Sequence, residues 1–231
     1  MHPVLASVGP FTVYSWGFMV ALGFIAGLFT AMKYARREGL NPDVMPDLFI
    51  YVVISAIGGA RLFYVIGFFD MFRDNLISVF YVNQAGMVFL GGLCLSFVTV
   101  IVFSRVKRLD LWKLLDAVSP ATAIGYAIGR IGCFLNGCCY GIEFCGIRQP
   151  TQLYSSFAGL VIFIALVLLY RRKAYDGQIA LYGLVMYSIY RFLIEFLRYS
   201  PVHVMGLTLN QLLCVLLFAA SSLALWKKNT I

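Results

Sequence analysis

The stretch GRIGCFLNGCCYG, residues 129–141, sets Arg130, Asn136 and three cysteines beside a long apolar run. A second stretch, YRFLIEFLR at 190–198, carries Arg191, Glu195 and Arg198 at separations of four and three, which a helix would place on one face. A guanidinium is a planar fork that matches phosphate oxygens two at a time, whereas a lysine ammonium is a point charge. These types point to recognition of a phosphate-bearing anion, with Glu195 steering and partly neutralising Arg191. A buried ion pair that fixes helix packing is the other reading of the same two residues.

The elements that must position them are membrane helices. The chain has 231 residues, of which 61% are hydrophobic and 12% charged, and its mean hydropathy is +0.88. A soluble domain is about a quarter charged, so most of this chain cannot face water. The formal charge of +8 falls in short clusters between apolar stretches, a pattern of topology signals rather than of a nucleic-acid surface. The N-terminus lacks the basic start and small-residue cleavage site of a signal peptide, so the first apolar run is expected to stay as a span.

The expected fold is all-α, a single domain over residues 1–231 with seven transmembrane helices at about 12–34, 47–69, 86–104, 112–134, 152–170, 178–198 and 207–226. Twelve of the eighteen Lys and Arg residues fall in alternate connections and at the C-terminus. The positive-inside rule makes those segments cytoplasmic, with the N-terminus outside.

The other six basic residues, Arg61, Arg73, Arg130, Arg148, Arg191 and Arg198, are all arginines. At about 1.5 Å per residue, Arg61, Arg130 and Arg191 stand about 21, 27 and 20 Å above the cytoplasmic ends of their helices. In a core about 30 Å thick all three occupy the outer half, and Arg198 reaches the outer surface. An arginine at such depth costs about 2.5 kcal/mol or more unless it is paired or faces a watery cavity. Arg73 and Arg148 are expected on outer loops, solvated or at lipid head groups, and His203 in a loop. Asp116, four residues before Pro120, suits capping or packing, and Gly125, Gly129 and Gly132 suit close helix approach.

The cysteines at 133, 138, 139 and 145 contain no C-x-x-C pair, and the only histidines are His2 and His203. The spacing therefore predicts no metal site. A disulfide, for instance Cys139 with Cys145, and plain apolar filling both fit, and Arg130 could activate a thiol at Cys133 or Cys138.

Taken with RQPTQLYSS, GLTLNQLL, YSWGFMVALGF, GARLFYVIGFF and GMVFLGGL, these motifs resemble the prolipoprotein diacylglyceryl transferase family over nearly the whole chain. The resemblance implies a bacterial inner-membrane enzyme with its site towards the outer leaflet. Its reaction moves the diacylglyceryl group of phosphatidylglycerol onto the lipobox cysteine thiol of a preprolipoprotein signal peptide, releasing glycerol phosphate; no cofactor, metal or nucleic acid is implied. Arg130, Asn136 and Gly141 match the family's glycine-arginine signature, and Arg191 and Glu195 match its later Arg-x-x-x-Glu pair. Arg130, Arg191, Glu195 and Asn136 are thus the candidate catalytic residues, and Arg61, Gly141, Gln152, Tyr154 and Arg198 the candidate substrate-binding ones. Two guanidiniums would stabilise the charge that develops on the leaving phosphate ester.

The departures from the family pattern are specific. Cys133 stands for an asparagine, Cys138 for a glutamate and Leu90 for a frequent histidine, and Trp16 displaces a tyrosine. With no histidine at membrane depth, imidazole is excluded as general base. The same residues also suit a divergent paralogue with another acceptor, one that uses Cys133 or Cys138 as a transient carrier, or a phospholipid-binding protein without activity. A transporter is disfavoured because no paired broken helices or inverted repeat is visible.

Overall fold

A computed structural model describes residues 3–8, 11–73, 86, 88–144, 146–198, 203–204 and 206–229. His2 and Cys145 lie outside them, and with Cys145 the expected disulfide partner of Cys139. Seven α-helices occupy the seven apolar stretches: α1 Ser15–Arg37, α2 Val44–Gly67, α3 Phe89–Val106, α4 Leu111–Asn136, α5 Thr151–Leu169, α6 Gln178–Glu195 and α7 Leu209–Asn229. Five of them, α1, α2, α4, α5 and α7, are long and apolar enough to cross a membrane. Side chains such as Phe29, Ile54, Ile66, Phe157 and Leu216 stand exposed around the outside, where only lipid would cover them.

The chain is not wholly helical. Three short antiparallel hairpins pair β1 Val4–Val8 with β2 Phe11–Tyr14, β3 Glu143–Phe144 with β4 Ile147–Arg148, and β5 His203–Val204 with β6 Leu207–Thr208. His203 is therefore in a strand opposite Thr208, not in an open loop. Residues 12–14, expected to open the first span, belong to β2, and α6 ends at Glu195 rather than at 198.

Helix α4 is the centre of the bundle, packed on α1, α5 and α6, while α2 packs chiefly on α3 and α6 on α7. Its ends are written in the sequence. Asp110 caps the start by accepting from the backbone N–H groups of Trp112 and Lys113 at 2.8 and 3.0 Å. Gly137 stops it in the left-handed conformation, φ 79°.

Close helix approach is built from small residues. Gly23 and Gly27 of α1 face Gly125 and Ala121 of α4, and a Cβ at Gly23 would lie 3.0 Å from the Gly125 carbonyl oxygen. Gly59 of α2 and Gly91 of α3 meet backbone to backbone, each without room for a methyl group. Gly132 also has a close neighbour, Met19, whereas Gly129 faces open space and its expected packing role is not met. Replacing Gly91 by alanine forces α2 and α3 apart and is expected to lower stability by about 1–3 kcal/mol, the usual range for overpacking. A thermal melt in detergent that matched the parent would contradict this crossing.

One end of the bundle is held by charge. Lys173, just past α5, binds the carboxylates of Glu38, Asp116 and Asp176. Asp116 also accepts from the Gly177 and Ala180 N–H groups at 2.7 and 2.8 Å, so it caps α6 from a neighbouring helix. Arg37 donates to the Tyr170 carbonyl, and Lys228 to that of Asp176. Desolvation opposes the charge on Lys173, but its three carboxylate hydrogen bonds outweigh this and hold its pKa above that of an ordinary lysine. The basic clusters of alternate connections thus share one end, opposite the candidate site.

Candidate active site

The site is assembled at the other end from α4, α5, α6 and the segments that follow them. Arg130, 19 residues after Leu111, stands about 28 Å along α4. Its guanidinium carbon lies 4.8 Å from the ring centroid of Tyr126, one turn earlier. Among the described residues Arg130 has no carboxylate partner. A half-buried cation held by an aromatic face keeps its donors available for an anion.

Helix α6 meets α4 at this level. The Tyr126 and Tyr190 hydroxyls are 3.0 Å apart, and the rings of Tyr126, Tyr187 and Tyr190 pack at centroid distances of 6.1–6.3 Å. Arg130 stacks on Tyr126, and Arg191 follows Tyr187 by four residues on α6, one turn along the same face. The two guanidiniums from different helices therefore flank one tyrosine cluster. Tyr126 and Tyr190, four residues before Arg130 and one before Arg191, went unremarked in the sequence because aromatic residues in apolar helices are ordinarily core.

Arg191 Nη1 lies 2.9 Å from Glu195 Oε2, so the spacing of four produces the ion pair it predicts. Glu195 is 2% exposed, and its other oxygen accepts from Asn210 at 2.9 Å and Thr208 at 3.3 Å. The GLTLNQLL motif thus holds Glu195 in place from α7. Arg198 lies past the end of α6, where its backbone N–H bonds the Glu195 carbonyl in a turn.

The loop after α4 is locked to α5 and α6. A Cβ on Gly141 would collide with the Leu197 carbonyl oxygen, which also accepts from the Ile142 N–H at 2.9 Å. The close approach that calls for glycine here is to the end of α6. Gln152, 1% exposed, donates through Nε2 to the Cys138 carbonyl at 2.5 Å, and Thr151 Oγ1 donates to that of Cys139 at 2.9 Å. The partner being a carbonyl fixes the amide orientation, which leaves Gln152 Oε1 buried with no hydrogen bond among the described residues. Asn136, the last residue of α4, is exposed with no hydrogen bond among the described residues.

Tyr154 is exposed and donates to Gln149 Oε1 at 3.2 Å. With Ala158, Val161, Met186, Tyr190 and Leu193 it lines an apolar groove of about 480 Å³ between α5 and α6. Tyr190 joins this groove to the arginine pair. Arg61 is buried, bonds the Gly86 carbonyl at 3.2 Å and stacks on Phe72 and Tyr64, which ties it to the end of α2 and the segment before α3. Arg73 and Arg148 are exposed, Arg73 beside Asp70 at 3.8 Å. Leu90 and Trp16 are both exposed.

The cysteines hold what the spacing concealed. The Sγ atoms of Cys133, Cys138 and Cys139 all lie within 4.8 Å of one another, and all three are thiols. The reversal at Gly137 folds the chain back, so residues five and six positions on return to Cys133.

Comparison with known proteins gives one answer. The family model for prolipoprotein diacylglyceryl transferase matches residues 3–227. Phosphatidylglycerol–prolipoprotein diacylglyceryl transferases from Finegoldia magna and Shouchella clausii are 32% and 33% identical, over 95% and 96% of this chain and 93% and 88% of their own lengths. The enzyme of that name from Clostridium kluyveri is 33% identical over 92% of this chain and 91% of its own. With arginines from two helices around one tyrosine cluster and a match that runs almost from end to end, the chain belongs to the prolipoprotein diacylglyceryl transferase family.

Proposed function

We propose that this protein transfers the diacylglyceryl group of phosphatidylglycerol to the lipobox cysteine thiol of a preprolipoprotein signal peptide and releases glycerol phosphate. All seven helices cross the bacterial inner membrane, the N-terminus lies outside, and the site opens towards the outer leaflet. The observation that carries the reading is the Arg130 guanidinium, free of carboxylates among the described residues and stacked on Tyr126, whose hydroxyl meets that of Tyr190 beside Arg191. That arrangement suits the phosphate of a lipid whose acyl chain lies in the α5–α6 groove.

The acceptor thiol gives its proton to water, its sulfur attacks the glycerol carbon next to the phosphate ester, the C–S bond forms, and the C–O bond breaks with its electrons passing to phosphate. Arg130 and Arg191 stabilise the charge that grows on the leaving oxygen. Glu195 holds Arg191 in register, Asn136 offers a polar contact to the glycerol, and Gln152 acts on the substrate indirectly by holding the loop at Cys138. Tyr154 guides the lipid at the groove, Gly141 keeps the loop against α6, and Arg198 meets head groups nearby, while Arg61 holds the end of α2 to the segment before α3.

The test uses cells depleted of their own transferase and a reporter lipoprotein. Expression of this chain is expected to restore the mass gain of one diacylglyceryl group on the reporter cysteine. With purified protein, phosphatidylglycerol vesicles and a lipobox peptide, glycerol phosphate should appear in equal amount with the thioether. Lipid binding without any modified peptide would reject the reading, and a C-terminal reporter active only outside would reject the topology.

A further inference from the structure

Two groups of three possible ligands converge in this fold, and they differ in one respect. The oxygens of Glu38, Asp116 and Asp176 meet within 4.8 Å, but the ammonium of Lys173 already fills the space among them. The sulfurs of Cys133, Cys138 and Cys139 meet within the same distance, and no cation of the protein lies among them in the described contacts. A tetrahedral zinc site with Zn–S bonds of about 2.3 Å needs sulfurs about 3.8 Å apart, which side-chain rotation supplies from this starting point.

The backbone is arranged for that convergence. Cys139 is one of two described non-glycine residues with positive φ, at 65°, a conformation that persists only where the surroundings impose it. The imposing groups are Gln152 and Thr151, which hold the Cys138 and Cys139 carbonyls from the start of α5. Cys133 follows Arg130 by three residues on α4, so the two side chains share one face of the helix. Cys133 on the helix and Cys138 and Cys139 in the held turn therefore converge just beyond Arg130.

We propose that Cys133, Cys138 and Cys139 bind one zinc ion whose fourth position takes the thiol of the acceptor peptide. This rests on the transfer reading above. It supplies what the chain otherwise lacks, since no histidine stands at membrane depth and Leu90 is an exposed aliphatic side chain. Loading releases three cysteine protons to water, and the acceptor releases its own on binding, because a zinc-bound thiol is deprotonated outright. Three thiolates leave the zinc unit at −1 and the acceptor takes it to −2, so the bound sulfur stays electron-rich and nucleophilic. It attacks the glycerol carbon, the C–O bond breaks towards the phosphate held by Arg130 and Arg191, and the thioether, a weak ligand, leaves. Zinc keeps its oxidation state throughout.

The experiment uses the full-length protein, stripped by chelator under reducing conditions and titrated with Co²⁺. One ion per chain is expected, with sulfur-to-cobalt charge transfer and the visible bands of a tetrahedral site, displaced by Zn²⁺. Cys133→Ser, Cys138→Ser and Cys139→Ser should each lose these bands, while Cys94→Ser and Cys214→Ser keep them. Gln152→Ala should weaken binding about 10–100-fold through the loosened turn. X-ray absorption of the zinc form should count three sulfurs, and four once acceptor peptide is added. Transfer should fall about 100-fold on stripping and return with Zn²⁺.

A stripped protein or a triple serine variant that transfers at the parental rate overturns the zinc assignment and leaves lipid transfer standing. So does a disulfide between any two of the three cysteines in protein isolated from cells under thiol-blocking conditions. A three-sulfur cobalt site in a protein that modifies no peptide upholds the metal and overturns the transfer reading.

Discussion

Arg130→Ala or Arg191→Ala is expected to lower kcat by about 10²–10³-fold, the loss of about 2.7–4 kcal/mol that follows removal of one donor from a preorganised anion site. The readout is glycerol phosphate release at saturating phosphatidylglycerol. Arg130 carries the greater expected loss, because its charge is held by an aromatic face rather than balanced by a carboxylate. Arg130→Lys should recover only part of it, since an ammonium restores the charge without the planar fork. For Arg191→Ala a second effect enters: Glu195 keeps Asn210 and Thr208 but loses its counter-ion at 2% exposure. The double variant should therefore fall short of the product of the two single losses, as residues acting as a unit do. Parental turnover in Arg130→Ala would remove the basis for phosphate recognition here.

Lys173→Ala should be the most destabilising single change at the opposite end. It leaves Glu38 and Asp116, whose side chains are 6% and 0% exposed, facing one another without a cation. Breaking a buried pair in this way costs about 3–5 kcal/mol. Asp116→Ala should cost a similar amount for a further reason, because the Gly177 and Ala180 N–H groups at the start of α6 lose their acceptor. Thermal melts in detergent measure both. The pH dependence follows from the raised lysine pKa: the contribution of Lys173 is complete below the ordinary lysine pKa and is lost as pH rises through the higher folded value. Stability from this group should stay level through neutrality and fall only in strong alkali. A Lys173→Ala protein melting with the parent would mean that the cluster is solvated and weak.

Much of the fold was legible because lipid imposes a simple pattern. A segment that must satisfy its own backbone in an apolar solvent is helical, and each apolar stretch contains one helix. The helix ends were less legible. Val4–Val8 and Phe11–Tyr14 pair as strands through β-branched and aromatic residues that also pass for the start of a span. Leu197 and Arg198 leave α6 because the Leu197 carbonyl turns out to receive the loop at Ile142, a tertiary bond with no local signal.

Within the site, the Arg191–Glu195 pair was visible as a spacing of four on a helix. Its support was not, because Asn210 and Thr208 arrive from another helix and a hairpin. Asp116 was legible as a capping residue but not as the cap of α6, 61 and 64 positions away at Gly177 and Ala180. The cysteine cluster escaped for a geometric reason. Spacings that announce a metal place both ligands on one local turn, whereas here the turn at Gly137 separates Cys133 on the helix from Cys138 and Cys139 beyond it.

Helix α4 carries both ends of this design. Asp116 is fastened into the ion cluster, and Arg130 stands 14 residues further along the same rod, about 21 Å away. The rod is a ruler: it sets the height of the guanidinium above the anchored face whatever the lipids around it do. Bilayers of different hydrocarbon thickness would therefore bring their phosphate plane to different heights against a fixed mark. Turnover would then vary with the thickness of the host bilayer even when the head group is one and the same.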